Sequence, residues 1–340
     1  MVFVTSQSQK ILSDMQVRKP AKEKREFRAW LTAELKAAGW TVEEEHGFFA
    51  GHNVIAGDPE KARILYTAHY DTQAVLPFPN FITPRNVGLY IAYQLPIVLG
   101  FLVLIALAEG LTISAFRALG AKELLPVAAP LVSIVICFLF VWWMFFGKAN
   151  RHTANDNTSG VITLLEVALT LPAEDRDKVC LVFFDNEERG MLGSAHFAGK
   201  RKRVKSETLV LNFDCVSDGD SIQFFATKKL RAEETTLKTL ENAFKIPENG
   251  AKTDATKGQL RTTFAPEEDR SKEVEVCRQG GIYPSDNVSF KRACGICALK
   301  KKGKLYYMDR IHTAKDTVFM EENIELLRAG CLRLAKGLEA

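Results

Sequence analysis

Five short stretches of this 340-residue chain carry groups that could do chemistry. His69 and Asp71 stand two apart in AHYDT, and Asp156 lies in ANDNTSG. Glu187 and Glu188 are adjacent in DNEERG, Asp214 follows LVLNF, and His312 lies in RIHTAKDT. Two residues apart on an extended chain, His69 and Asp71 point to the same side. An imidazole placed there can bind a metal while a carboxylate holds its other N–H and fixes the tautomer. Each group alone has an ordinary explanation. A loop aspartate before a helix is a cap, a lone histidine packs or faces solvent, and paired glutamates are solvated. In combination, acid or imidazole groups end strand after strand, and carboxylate plus imidazole is a zinc ligand set. Two histidines and three carboxylates could hold two metals with one carboxylate bridging, leaving one glutamate free as a base.

The elements that must position these groups are legible around them. ILYTA at 64–68, VCLVFF at 179–184 and TLVLNF at 208–213 read as strands; VCLVFF is a continuous apolar run of the kind buried on both faces of a mixed or parallel sheet. TVEEE at 41–45, NVIAG at 53–57 and IQFFAT at 222–227 read as further strands. SGVITLLEVALTL (159–171) predicts a buried helix with Ser159 near its N-cap. Residues 18–39 and 323–339 predict amphipathic helices, the first with Phe27, Trp30, Leu31 and Leu35 at helical spacing, Gly39 as a stop and a basic, solvated end at Arg18, Lys19, Lys22, Lys24 and Arg25. Strands alternating with helices indicate an α/β domain, and open α/β sheets place their sites at the C-terminal ends of the strands.

Composition alone describes an ordinary soluble protein: 47% hydrophobic, 25% charged and a net charge of +4, too balanced to indicate a nucleic-acid partner. Its distribution says more. Val87–Ala108 and Leu124–Gly147 are uncharged runs of 22 and 24 residues, each long enough for the roughly 20 residues that cross a bilayer. Tyr90, Tyr93, Trp142 and Trp143 lie near the ends of the runs, as in interfacial belts. We therefore expect a two-helix transmembrane hairpin at 86–147, with 1–85 and 148–340 folding together as one catalytic domain. Two spans return the chain to the side it left, so the halves can meet. The N-terminus lacks a basic start followed by an apolar stretch, and Arg85, Lys148 and Arg151 on the domain side outnumber Arg117 and Lys122 in the connecting loop. Both features point to a cell-membrane protein with its catalytic domain in the cytoplasm. Seven cysteines without framework spacing fit a reducing compartment, and the lone Cys294–Cys297 CxxC reads as structural.

AHYDT, ANDNTSGV, VFFDNEERGMLGS, NFDCVSD, SDNVSF and IHTAKDT, in that order, resemble the co-catalytic zinc aminopeptidases of metallopeptidase family twenty-eight, which also contains glutamate carboxypeptidases and glutaminyl cyclases. The resemblance covers the chain apart from the hairpin. It implies a zinc-peptidase-like α/β fold with a mixed, mostly parallel central sheet flanked by helices. It further implies two zinc ions per chain, with His69 and Asp214 completing one site, Glu188 and His312 the other, and Asp156 bridging. By the same likeness Glu187 is the general base and Asp71 the partner of His69. Peptides with a free N-terminus are the implied substrates, their ammonium group suited to an acidic site; the two apolar runs, not the resemblance, make the lipid bilayer the second expected partner.

Two departures stand out. Family members often carry a tyrosine directly before the last histidine, where this chain has Ile311, and Tyr306 and Tyr307 are only nearby. The hairpin also replaces what is commonly a short loop. Asp156 is nine residues past Gly147, hence within roughly 30 Å of the membrane, so the insert either anchors the site or also biases which peptides reach it. Other readings are a catalytically silent scaffold or receptor, which the full ligand set disfavours, and a glutaminyl-cyclase-like transferase.

Overall fold

The uninterrupted apolar runs become the middle of a sheet. The computed structural model describes residues 4–76, 78, 80–245, 273–277 and 283–337. The strands are β1 (Val42–Gly47), β2 (Gly51–Ala56), β3 (Ile64–His69), β4 (Val179–Phe184), β5 (Leu209–Phe213), β6 (Ser221–Ala226), β7 (Glu273–Cys277), β8 (Ala293–Lys302) and β9 (Leu305–Tyr307). They form one nine-stranded sheet in the order β1-β2-β4-β3-β5-β8-β6-β7, with β9 on the end of β8. The β4-β3-β5-β8 block and β6-β7 are parallel; β1, β2 and the β8 pairings with β6 and β9 are antiparallel. β3 enters before residue 87 and pairs on both sides with strands that follow residue 146, so the sheet is built from both sides of the apolar insert.

Helices cover both faces of this sheet. They are α1 (Ser6–Asp14), α2 (Ala21–Ala37), α3 (Val87–Ala118), α4 (Leu125–Phe146), α5 (Gly160–Thr170), α6 (Leu192–Lys200), α7 (Lys202–Glu207), α8 (Lys228–Arg231), α9 (Glu234–Phe244) and α10 (Glu321–Gly337). Side chains alternate across each strand. Tyr66, Leu181, Phe183 and Leu211 therefore join α1, α2, α5, α9 and α10 in the larger core, while Leu65, Val182, Phe184 and Val210 pack against Phe197 and Val204 of α6 and α7. Covering both faces is what a mixed, mostly parallel sheet requires.

Several details differ from the sequence reading. Ser159 holds the N-cap position of α5 as read, but it is already helical and makes no capping hydrogen bond; its hydroxyl donates to the Asn155 carbonyl. Asn157 takes the capping role, its side-chain oxygen accepting from Gly160 N at 3.0 Å. Gly160 is required at this point, because a Cβ there would lie 2.2 Å from the Phe213 carbonyl of β5. The basic stretch at the start of α2 is solvated only in part: Lys22 and Arg25 are exposed as read, but two of its cations turn inward. Arg18 is fully buried, donating to the carbonyls of Tyr70 and Met15 at 2.5 Å each and to Thr158 Oγ1 at 3.0 Å, while buried Lys24 pairs with Asp185. Positive charge is drawn inward because Asp71, Asp156 and Asp185 are buried nearby and an unpaired buried carboxylate is costly. α1 and β8 were not anticipated; β8 carries Cys294 and Cys297 on opposite faces, in separate core clusters, which fits a structural role. The C-terminal helix begins two residues earlier than read, and residues 338–340 lie outside the described ones.

Arg18 supplies a direct stability test. Replacing it with methionine leaves three acceptors unmet and removes the cation beside two buried carboxylates. Arg18→Met is expected to cost about 3–5 kcal/mol, the loss typical of breaking a buried charge pairing, seen as a lowered melting temperature of the detergent-solubilised chain.

The apolar insert forms two helices packed on each other, long and apolar enough to cross a membrane, with none of their residues buried. α3 starts at Val87 as read from sequence and continues ten residues past Ala108, through Glu109, which accepts a hydrogen bond from Ser133 of α4. At 1.5 Å per residue, its 32 residues span about 48 Å. The root is capped and held by residues of the loops around the sheet. Asn86 caps α3 by accepting from Leu89 N, Lys19 donates to the Phe145 carbonyl, and the Arg189 guanidinium sits 5.8 Å from the Phe146 ring.

Candidate metal centre

Parallel strands end at the same edge, and here that edge collects the acids. His69 is the last residue of β3, Asp214 directly follows β5, and Glu187 and Glu188 open a single 3-10 turn just past β4. Asp156 comes from the segment before α5 and His312 from the loop between β9 and α10. The structure brings all of the sequence-derived candidates together.

Asp156 lies at the centre. Its Oδ1 is 3.4 Å from His69 Nε2, and its Oδ2 is 2.8 Å from His312 Nε2. His69 Nε2 is also 3.4 Å from Asp214 Oδ1, and His312 Nε2 is 3.3 Å from Glu188 Oε2. Two donor triads result, His69–Asp156–Asp214 and Asp156–Glu188–His312, each with ligand atoms close enough to share one ion. Asp214 Oδ1 and Glu188 Oε1 are buried without a hydrogen-bond partner among the described residues, the condition of a carboxylate whose natural partner is a cation. Imidazole with carboxylate oxygen suits zinc, so the residues present fit that metal.

The surrounding charges agree. Burial opposes a charged imidazole at His69 and His312. The carboxylates outweigh it, Glu187 foremost at His69 and Glu188 at His312, and hold both well above the ordinary histidine range. Glu187 is pushed well above the usual carboxylate range by burial and by the charges of Glu188, Asp214 and Asp286, with His69 opposing. Such crowding marks a functional site and is the field a dication offsets.

Asp71 holds this geometry in two ways. His69 Nδ1 lies 3.1 Å from the Asp71 carbonyl and 3.5 Å from its carboxylate. The carboxylate oxygens accept the backbone N–H groups of Glu187 at 3.0 Å and Glu188 at 3.3 Å. Asp71 thus sets both the imidazole and the acidic turn. Asp71→Asn keeps the size but turns one acceptor into a donor facing a backbone N–H; metal affinity, read by chelator competition, should fall by about 10–100-fold.

Two further acids sit inside quoted motifs, Asp316 in IHTAKDT and Asp286 in SDNVSF, but were not singled out. Asp316 accepts the backbone N–H of Asn155 at 2.8 Å and of Asp156 at 3.0 Å; burial and then the Asp156 charge raise it to about 8. Asp286 is fully buried, neither carboxylate oxygen has a hydrogen-bond partner among the described residues, and burial foremost raises it to about 7. It lies in the quoted SDNVSF stretch, so that motif was the available signal. Asn186, Cys215 and His312 adopt left-handed backbone, with φ of 56°, 56° and 59°. That conformation costs a residue with a side chain about 1–2 kcal/mol, and it persists where surrounding contacts dictate it. Here they do: Lys24 donates to the Asn186 side chain, and Cys215 N donates to Asn157 Oδ1.

Above the triads is a cavity of about 300 Å³, floored by the acids and histidines. Ile311 is part of its wall. Tyr306 lies against Arg85 and Tyr307 against Phe81, at the root of the hairpin, so neither takes the place of a tyrosine before His312. Tyr283 does line the cavity, and its hydroxyl donates to the Asp214 carbonyl at 3.1 Å.

Comparison with known proteins accords with this geometry. The chain is similar in fold to a glutaminyl cyclase of Porphyromonas gingivalis, at 16% identity over 99% of each chain with a TM-score of 0.56. The same values relate it to a Zn-dependent exopeptidase from Parabacteroides distasonis ATCC 8503. A leucine aminopeptidase precursor from Bacteroides thetaiotaomicron VPI-5482 is likewise similar, at 16% identity over 98% of this chain and 97% of that one, TM-score 0.53. At such identities the likeness is one of fold. No curated protein sequence matches the chain significantly. The sequence model of peptidase family M28 matches residues 144–330, more than half of the chain and the stretch that carries five of the six quoted motifs. On that match, the chain belongs to peptidase family M28, the zinc metallopeptidases its motifs resemble.

Proposed function

We propose that this protein is a membrane-anchored di-zinc aminopeptidase that removes the N-terminal residue of peptides. The observation that carries the reading is the pair of donor triads sharing Asp156, with one further glutamate, Glu187, beside them. His69, Asp156 and Asp214 would hold one ion, and Asp156, Glu188 and His312 the other. Zinc held there acidifies water and polarises the scissile carbonyl. The chain's own residues do the rest. The Glu187 carboxylate accepts the proton of the attacking water and returns it to the leaving amine nitrogen, a role its raised proton affinity suits. Asp71 keeps that carboxylate in place through the backbone of its turn. The acidic floor holds a substrate's α-ammonium group, which favours a free N-terminus over a free carboxylate.

In this proposal residues 1–85 and 148–340 make one catalytic domain and 86–147 a spanning hairpin, with the domain on the cytoplasmic side. The unburied apolar surfaces of α3 and α4 support it, since such surface is stable only in lipid or against a partner. The root of the hairpin beside the metal motifs supports it too. A glutaminyl-cyclase-like transferase is the second reading, favoured by the fold likeness to glutaminyl cyclases. The discriminating assay incubates the zinc-loaded full chain with a Leu-peptide and with a peptide beginning in glutamine. Release of leucine supports the aminopeptidase. Cyclisation of the glutamine peptide without hydrolysis of the other supports the transferase, and neither reaction with either peptide supports a silent scaffold.

A further inference from the structure

The cavity over the triads is not walled by the catalytic sheet alone. Val87 and Tyr90 line it together with Ile82, Pro84, Tyr283 and Ile311. Val87 is the first residue of α3, and Tyr90 lies three further on, so both project from one face of its opening turn. The helix long enough to cross a membrane therefore begins as part of the pocket.

That turn is held firmly against the catalytic domain. Asn86 accepts from Leu89 N at 2.9 Å and donates its own N–H to the Thr83 carbonyl, while the Thr83 hydroxyl returns a bond to the Asn86 carbonyl. Ile82 and Met308 exchange backbone hydrogen bonds at 2.9 and 3.0 Å. The Arg85 guanidinium pairs with Glu275 at 2.6 Å and lies over the Tyr306 ring at 4.5 Å. One turn further along the helix, Tyr93 packs on Phe81 with ring centroids 5.4 Å apart. The positions of Val87 and Tyr90 relative to the triads are thus set by the fold.

We propose that the first turn of α3 is a specificity element, and that with Tyr283 and Ile311 it forms an apolar subsite selecting peptides with a large apolar N-terminal side chain. This rests on the aminopeptidase reading and adds to it. A substrate whose ammonium group meets the acidic floor places its first side chain between that floor and the surrounding wall. The wall offers valine, isoleucine, proline and tyrosine rings, surface that rewards burial of a leucine or phenylalanine and gains little from glycine or alanine. The hairpin then contributes to substrate choice as well as to anchoring.

The test compares kcat/KM for Leu-, Phe- and Ala-amides across the full-length wild type, Val87→Phe and Tyr90→Ala, all zinc-loaded in detergent. Wild type is expected to prefer Leu over Ala by at least about ten-fold, the worth of burying a few methylenes. Val87→Phe fills the subsite and should shift the preference toward Ala by about ten-fold; Tyr90→Ala opens it and should shift the preference from Leu toward Phe by about the same factor. Opposite shifts from the two variants support the inference, because general damage lowers every substrate alike. Unchanged ratios, or an equal fall for every substrate in both variants, overturn it while leaving the aminopeptidase reading intact. If zinc-loaded wild type hydrolyses none of the amides, that reading fails, and the inference fails with it.

Discussion

Glu187→Gln is expected to keep its metal and lose turnover by about 10²–10⁴-fold, the usual contribution of a positioned general base. The substitution preserves shape and removes only the ability to take a proton. The turn that carries it is fixed through backbone N–H groups accepted by Asp71, which the side-chain change does not touch. Neither donor triad includes Glu187, so zinc content should match wild type. Relief of crowding among buried carboxylates should leave the variant at least as stable, because Glu187 is pressed by Glu188, Asp214 and Asp286. Hydrolysis of aminoacyl amides at a near-wild-type rate would assign the base elsewhere, and Asp286 would be the next residue to test.

Asp156→Ala should have the opposite signature, with metal and activity lost together. Asp156 is the one residue common to both triads, its two carboxylate oxygens directed at the two histidines. Its removal takes a donor from each site, whereas Asp214→Ala takes a donor from one. The local backbone should survive, since Asp316 holds the N–H groups of Asn155 and Asp156 whatever side chain residue 156 bears. The expected outcome is zinc content well below that of Asp214→Ala and a turnover loss exceeding that of Glu187→Gln. Retention of both ions by Asp156→Ala would rule out a bridging role.

The site was legible in the sequence because its residues cluster after apolar strands, a pattern set by sheet topology. β4 occupies the VCLVFF run without a shift in either boundary, and β3 ends on His69 itself. What was not legible depends on long-range charge. Arg18 and Lys24 are flanked by basic residues and read as solvated, but 3-D proximity to Asp71, Asp156 and Asp185 draws them inside. Asp316 and Asp286 likewise gain their significance from neighbours far away in sequence. Ser159 was the reasonable cap by residue type; Asn157 takes that role because its amide also bonds the Phe213 carbonyl and so locks α5 to β5. The participation of Val87 and Tyr90 in the cavity was hidden for another reason: an uncharged run reads as lipid-facing along its whole length, and nothing in it marks the turn that faces a pocket.

The central claim is that two zinc ions share Asp156 and that hydrolysis depends on them. Its most direct test is metal quantification of the purified full chain in detergent, paired with Leu-amide hydrolysis before and after chelation. The account predicts two zinc ions per chain in wild type, activity abolished by chelation and restored by zinc, and both ions missing from Asp156→Ala. A wild-type chain that binds no zinc, or that hydrolyses the amide at full rate after complete chelation, would contradict it.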